Sequence, residues 1–233
     1  MKLSHALLLI PVLMLVSCAA IMPQPGSVLW EEGLDQVRLD LEPTTNRNTH
    51  PVMLSPGQIA NLFRGVRAGE RRNLIHRLIS GEARQTRAFR DEEILILAKP
   101  IAEALAQARP DQRVYFHLSQ AGGGGGEVTT TGWIFARDPL LLLQLSEVHD
   151  LHAPGPDISK YIRYMPDVPE APIPFDVTFE PEMYLNKEVS KGSWLAPDQL
   201  EELQIRYREA LRELPSYILE EPTRHAPSEN RAR

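Results

Sequence analysis

The chain has almost no sulfur chemistry to offer: among its 233 residues there is one cysteine, Cys18. A single thiol makes no internal disulfide, and everything after it lacks both a cysteine nucleophile and a thiolate metal ligand. In an oxidising compartment such a body must be held by packing. Aromatic residues are sparse at 6%. No apolar run reaches the roughly twenty residues that span a bilayer; Leu7 to Val16 is about half that length and contains Pro11. No Gly-x-Ser-x-Gly elbow is present. The net charge of −6 argues against a nucleic-acid partner.

What is present begins with an address. Lys2 precedes the short apolar segment, which ends Leu15-Val16-Ser17-Cys18, a small residue directly before the cysteine. This stretch resembles the lipobox of bacterial lipoproteins. The resemblance covers about twenty residues and implies cleavage before Cys18, a diacylglycerol thioether on its sulfur and acylation of the new amino group. Ala19, rather than Asp, follows the cysteine, and by the same resemblance this implies the outer membrane, with the body facing the periplasm. Two or three acyl chains make the attachment persistent. Pro23, Pro25 and Gly26 predict an unstructured tether that reaches about 30 Å.

A mature chain of roughly 215 residues suits one domain with an appendage. Asp35 to Glu42 alternates, with Val37, Leu39 and Leu41 predicted on one face and Arg38, Asp40 and Glu42 on the other. Ser55, Pro56 and Gln58 spell a helix start, and Ile59, Leu62, Phe63 and Val66 continue it. Leu74, Ile75, Leu78 and Ile79 suggest a second helix, stopped by Gly81. The strongest helix runs from about Asp91, as cap, to Ala108, with Pro100 expected to bend it. Arg113 to Leu118, Val128 to Ala136 and Leu140 to Val148 read as strands.

This β-α-α-α-β-β-β order indicates an α+β fold with a mainly antiparallel sheet and helices on one face. Seven prolines between Ala153 and Pro181 predict a surface wrap, with a brief edge strand at Phe175, Val177 and Phe179. Leu200, Leu203, Tyr207, Leu211 and Leu214 predict a last helix from about Pro197 to Leu214. The expected organisation is a signal peptide over 1–17, a lipidated tether over 18–27 and an α+β domain over 28–152. A Pro-rich linker over 153–192, a helical segment over 193–221 and a disordered tail over 222–233 complete it.

The chemistry-bearing residues fall into three groups. Gly122 to Gly126 lacks the Lys-Ser/Thr and the following helix of a phosphate loop, so it reads as a flexible hairpin tip. His149 and His152, beside Asp150 and with His117 or His50 as third ligand, suit a metal site. Such a site would make the protein a periplasmic metal-dependent hydrolase or ligand-binding protein using His117, His149 and His152. Ser119 and His117 share a strand face without an acid partner, and Glu92 and Glu93 answer to helix polarity.

Eight arginines, Arg64, Arg67, Arg71, Arg72, Arg77, Arg84, Arg87 and Arg90, crowd a stretch whose only acids are Glu70 and Glu82. If the first helix continues, Arg64, Arg67 and Arg71 form a ridge suited to phosphates and carboxylates. The expected partner is an envelope protein or an anionic cell-wall or lipid surface, unless Glu201, Glu202, Glu209 and Glu213 of the last helix neutralise the ridge. The favoured reading is a non-enzymatic lipoprotein, without cofactor, acting as an accessory or scaffold in envelope assembly or transport.

Overall fold

The computed structural model describes residues 26–43, 47–71, 81, 83–152, 175–186 and 201–214. Among the described residues there are nine strands and three α-helices: β1 Ser27–Glu32, β2 Asp35–Leu41, α1 Pro56–Gly65, β3 Val66–Glu70, β4 Thr86–Arg87 and α2 Asp91–Gln107. Then follow β5 Gln112–Ala121, β6 Glu127–Arg137, β7 Leu140–His152, β8 Phe175–Phe179, β9 Glu201–Ile205 and α3 Tyr207–Glu213. Every pairing is antiparallel, in a six-stranded sheet of order β1-β2-β5-β6-β7-β9 and a small sheet of order β4-β3-β8. The fold is α+β with a mainly antiparallel sheet.

Register divides the large sheet into two faces. Val37, Leu39, Val114, Phe116, Ile134, Leu143 and Leu203 lie in line across the strands and join the apolar core with Ile59, Leu62, Phe63, Leu97 and Ile101 of α1 and α2. Phe89 knits them together, stacked on Phe63 at 4.4 Å between ring centres and tilted against Phe116 at 5.9 Å. Tyr207 and Ala210 of α3 belong to the same cluster, so the described helices share that side.

The opposite face is also buried, contrary to the alternation expected of a half-buried strand. Arg38 is 1% exposed and Asp40 8%, whereas Leu41 is 60% exposed. Arginines lie over rings here, Arg38 at 3.7 Å from the centre of Tyr115 and Arg113 at 4.4 Å from Trp133. Asp40 accepts from Arg38 Nε at 2.8 Å and from Trp133 Nε1 at 3.1 Å. A charged group is tolerated in such a place because its partners are fixed beside it.

The capping signals worked where they were local. The Ser55 hydroxyl accepts from the Gln58 backbone N–H at 3.2 Å, and the Ser55 N–H donates to Gln58 Oε1 at 2.8 Å. In α2 the cap falls one residue earlier than expected: Arg90 occupies it, and its N–H donates to Glu93 Oε2 at 2.7 Å. The helix runs through Pro100, and Leu95 on its outer side is 39% exposed.

Two expectations about helices fail. The first helix stops at Gly65 and Val66 opens β3, because a Cβ at residue 65 would sit 2.4 Å from the Phe179 ring and 2.7 Å from the Glu180 carbonyl. Only glycine allows β8 this close. Over 201–214 the helix expected from about Pro197 to Leu214 is instead strand β9 followed by α3, since Leu203 and Ile205 pair with Leu143 and Leu141 at the edge of β7. The open edge of a long strand overrides the helical period. The brief strand at Phe175–Phe179 forms as expected and pairs with β3. Leu74 to Ile79 lie outside the described residues.

Candidate functional site

With α1 ending at Gly65 there is no continuous arginine ridge. Arg64 closes the helix, Arg67 lies in β3 and Arg71 follows it, and each meets an acid of this chain. Arg64 Nη2 is 2.9 Å from Asp91, Arg67 Nη2 2.8 Å from Glu180 and Arg71 Nε 2.9 Å from Asp176. Arg87 adds a second guanidinium on Asp91 at 2.8 Å, and the hydrogen bonds and charge of Arg87 and Arg64 hold that carboxyl down at about 2. The arginines therefore tie α1 to α2 and β3 to β8. Arg72 lies outside the described residues.

The acids of the last segment have other partners. Glu202 accepts from Gln144 and Gln204, Glu209 pairs with Arg206 and Glu213 accepts from the Tyr184 hydroxyl. Nothing is described of the Glu201 side chain.

The histidines separate by sheet face. Two irregularities in the β6–β7 ladder, between Thr129 and Thr131 and between Thr131 and Gly132, insert extra residues on β7. A bulge turns subsequent side chains to the other face: along β7 the first takes Glu147 off the side of Leu143 and Leu145, and the second keeps Asp150 and His152 on the side Glu147 has joined, opposite Thr129 and Glu127. Glu147 Oε2 accepts from Thr129 Oγ1 at 2.5 Å and from Thr131 Oγ1 at 3.1 Å. His152 Nε2 lies 2.9 Å from Thr129 Oγ1, and His117 Nδ1 lies 2.9 Å from Thr131 Oγ1. So His117 and His152 converge through two threonines on one carboxylate.

His149 goes the other way. At φ 50 it turns to the helix side, where Nε2 is 3.0 Å from both oxygens of Glu93. Glu93 is 1% exposed. Its burial opposes ionisation, but hydrogen bonds from His149 and the Arg90 N–H, with their charges, prevail and hold the carboxyl below the usual carboxylate range. Glu93 is therefore a buried anchor as well as a helix-polarity residue. His50 belongs to neither cluster: Thr49 N donates to the Ala136 carbonyl, seven residues along β6 from Thr129, or about 23 Å of strand.

Between the β1–β2 turn and the glycine tip lies a cleft of about 380 Å³ bordered by Glu32, Asp35, Ser119, Gln120, Gly126 and Glu127. The tip hydrogen-bonds to itself, Gly122 N–H to the Gly126 carbonyl at 2.7 Å, and Gly124 and Gly125 adopt φ 69 and 81. Those left-handed angles suit glycine, and the inward bonds agree with a hairpin tip. Burial raises the Asp35 carboxyl above its ordinary value despite the Ser119 N–H at 2.8 Å, and Glu32 and Glu93 push it the same way. Glu127 links cleft and cluster, since Oε1 stands 4.0 Å from His117 Nε2.

No family model, curated protein or solved structure matches the chain. Its function must be argued from its own residues. Glu147, Thr129 and Thr131 were missed by sequence reasoning, because simple alternation along β7 puts Glu147 on the core side with Leu143 and Leu145. The polar run Thr129-Thr130-Thr131 opposite a His/Glu/Asp-rich strand end was the available signal.

Proposed function

We propose that this protein is a lipid-anchored lipoprotein of the bacterial outer membrane, facing the periplasm and acting as a non-enzymatic accessory or scaffold in envelope assembly or transport. The observation that carries this reading is Leu15-Val16-Ser17-Cys18 at the end of a short apolar leader, with Cys18 the only thiol of the chain. No helix among the described residues is long and apolar enough to cross a membrane, and in this reading the acyl chains on Cys18 supply the attachment. The split of His117 and His152 from His149 weighs against a three-histidine hydrolytic centre.

The test is metabolic labelling with palmitate followed by separation of inner and outer membranes. Wild type should incorporate label and sediment with the outer membrane, and Cys18→Ala should lose the label. An unlabelled wild-type chain, uncut and free in the cytosol, overturns the proposal.

A further inference from the structure

We infer that Glu147, Asp150 and His152 form a binding site for one divalent transition-metal ion, of which zinc suits the donor set best. One donor atom from each lies within 4.8 Å of the other two, with His152 Nε2 at 3.4 Å from Glu147 Oε1 and 3.9 Å from Asp150 Oδ2. A tetrahedral ion with bonds of about 2.0–2.2 Å spaces its ligands about 3.3–3.6 Å apart. The contact between His152 and Glu147 already has that spacing, whereas Asp150 stands 3.9 Å from His152 and within 4.8 Å of Glu147 and has to move in, and His152 Nε2 has to exchange its hydrogen bond to Thr129 for the ion.

The carboxylate is also oriented for the task. Both threonine hydroxyls bond Oε2 of Glu147, and Oε1 is the oxygen turned to His152. Thr129 and Thr131 are 4% and 0% exposed, so the hydroxyls that fix Glu147 are themselves fixed by the sheet. Hydrogen-bonded support of this kind around a ligand typically contributes tenfold to a hundredfold in metal affinity. His117 continues it from behind Thr131.

Ligand type sets the ion. One imidazole with two carboxylates suits zinc or its first-row neighbours, whereas calcium and magnesium take oxygen donors throughout. Two carboxylates also balance the dipositive charge. The side chains of His152 and Asp150 are 47% and 62% exposed, so an ion enters from solvent and its fourth position falls to water. None of this depends on the acyl anchor.

The experiment is titration of untagged, detergent-solubilised full-length protein with zinc alone by calorimetry, and with cobalt(II) as a spectroscopic stand-in. One zinc per chain, unaffected by millimolar calcium or magnesium, is expected. Glu147→Gln and His152→Ala should each weaken binding at least tenfold, and His149→Ala, on the opposite face, should leave it unchanged. Asp150→Asn is exposed enough to fold normally and should alter the cobalt d–d band. Absence of saturable zinc binding below millimolar, equal losses from His149→Ala and His152→Ala, or an unchanged cobalt spectrum in Asp150→Asn would overturn the site.

Discussion

The two faces of the six-stranded sheet are both buried, yet they are built from opposite materials. Toward the helices stand Val37, Leu39, Val114, Phe116, Ile134 and Leu143. Away from them stand Arg38, Asp40, Arg113, Tyr115 and Trp133, locked by a salt bridge, an indole hydrogen bond and guanidinium-over-ring contacts. Burial removes Arg113 from water and lowers its pKa, while Glu42 and Asp40 oppose that shift. The contrast teaches that alternation reports chemical type, and that exposure is a separate question.

The largest effects should come from one truncation on each face. Phe116→Ala empties a fully buried ring site among Phe63 and Phe89 and should destabilise by about 3–5 kcal/mol. Asp40→Ala should cost a similar amount, about 3–5 kcal/mol, because it removes the carboxylate that neutralises the Arg38 guanidinium at 1% exposure, which keeps Gln36 Oε1 on Nη1, and the acceptor of the Trp133 N–H. Chemical denaturation at constant m-value measures both. What separates the faces is the rescue: Arg38→Met added to Asp40→Ala should recover most of the loss, leaving about 1 kcal/mol for the orphaned indole. No second truncation should rescue Phe116→Ala. If the double variant is no better than Asp40→Ala, the polar face is held by packing in the same way as the apolar one.

His50 sharpens the comparison, since it is a polar side chain buried without the partners that Arg38 enjoys. It is 6% exposed, neither ring nitrogen has a hydrogen-bond partner among the described residues, and burial pushes its pKa down to about 4 from 6.5. The folded protein keeps the ring neutral while the unfolded chain takes up a proton below about 6.5. Stability therefore falls as pH drops from 6.5 toward 4, by about 3 kcal/mol in all, and levels off below that. Urea titrations at pH 7 and pH 4.5 should show a loss of about 2–3 kcal/mol in wild type that His50→Leu lacks. Glu93, with its lowered pKa, begins to lose its own contribution as pH enters the ordinary carboxylate range and loses the rest below it, and that part is common to wild type and His50→Leu, so the difference between the two isolates His50.

Legibility followed the range of the interactions. The Ser55–Gln58 capping box, the glycine tip and the strands β5 to β7 are decided within a few residues, and all could be read directly. The end of α1 could not, because it depends on Phe179, more than a hundred residues away, crowding Gly65. Strand β9 was hidden because Leu203, Tyr207 and Leu211 fit a helical period until the free edge of β7 is known. At the candidate site, His117 and His152 were visible as residue types. Glu147 was not, because a bulge rather than a motif brings it to them.

The smallest effect concerns the arginines that the sequence presents as a surface ridge. Arg67 reaches Glu180 at 2.8 Å, with side-chain exposures of 21% and 56%, and also donates to the carbonyl of Arg64 at 2.6 Å. A pair so open to water is screened, and Arg67→Ala should cost only about 0.5–1 kcal/mol. Both buried faces should be untouched by it, so the Asp40 and Phe116 effects should add to it within a few tenths of a kcal/mol. Recovery of an envelope partner by crosslinking and pulldown gives the complementary measurement. Since Arg64, Arg67 and Arg71 are engaged with Asp91, Glu180 and Asp176, replacing all three by Ala should leave capture largely unchanged. Loss of capture at full fold stability would return the arginines to the role of a partner surface.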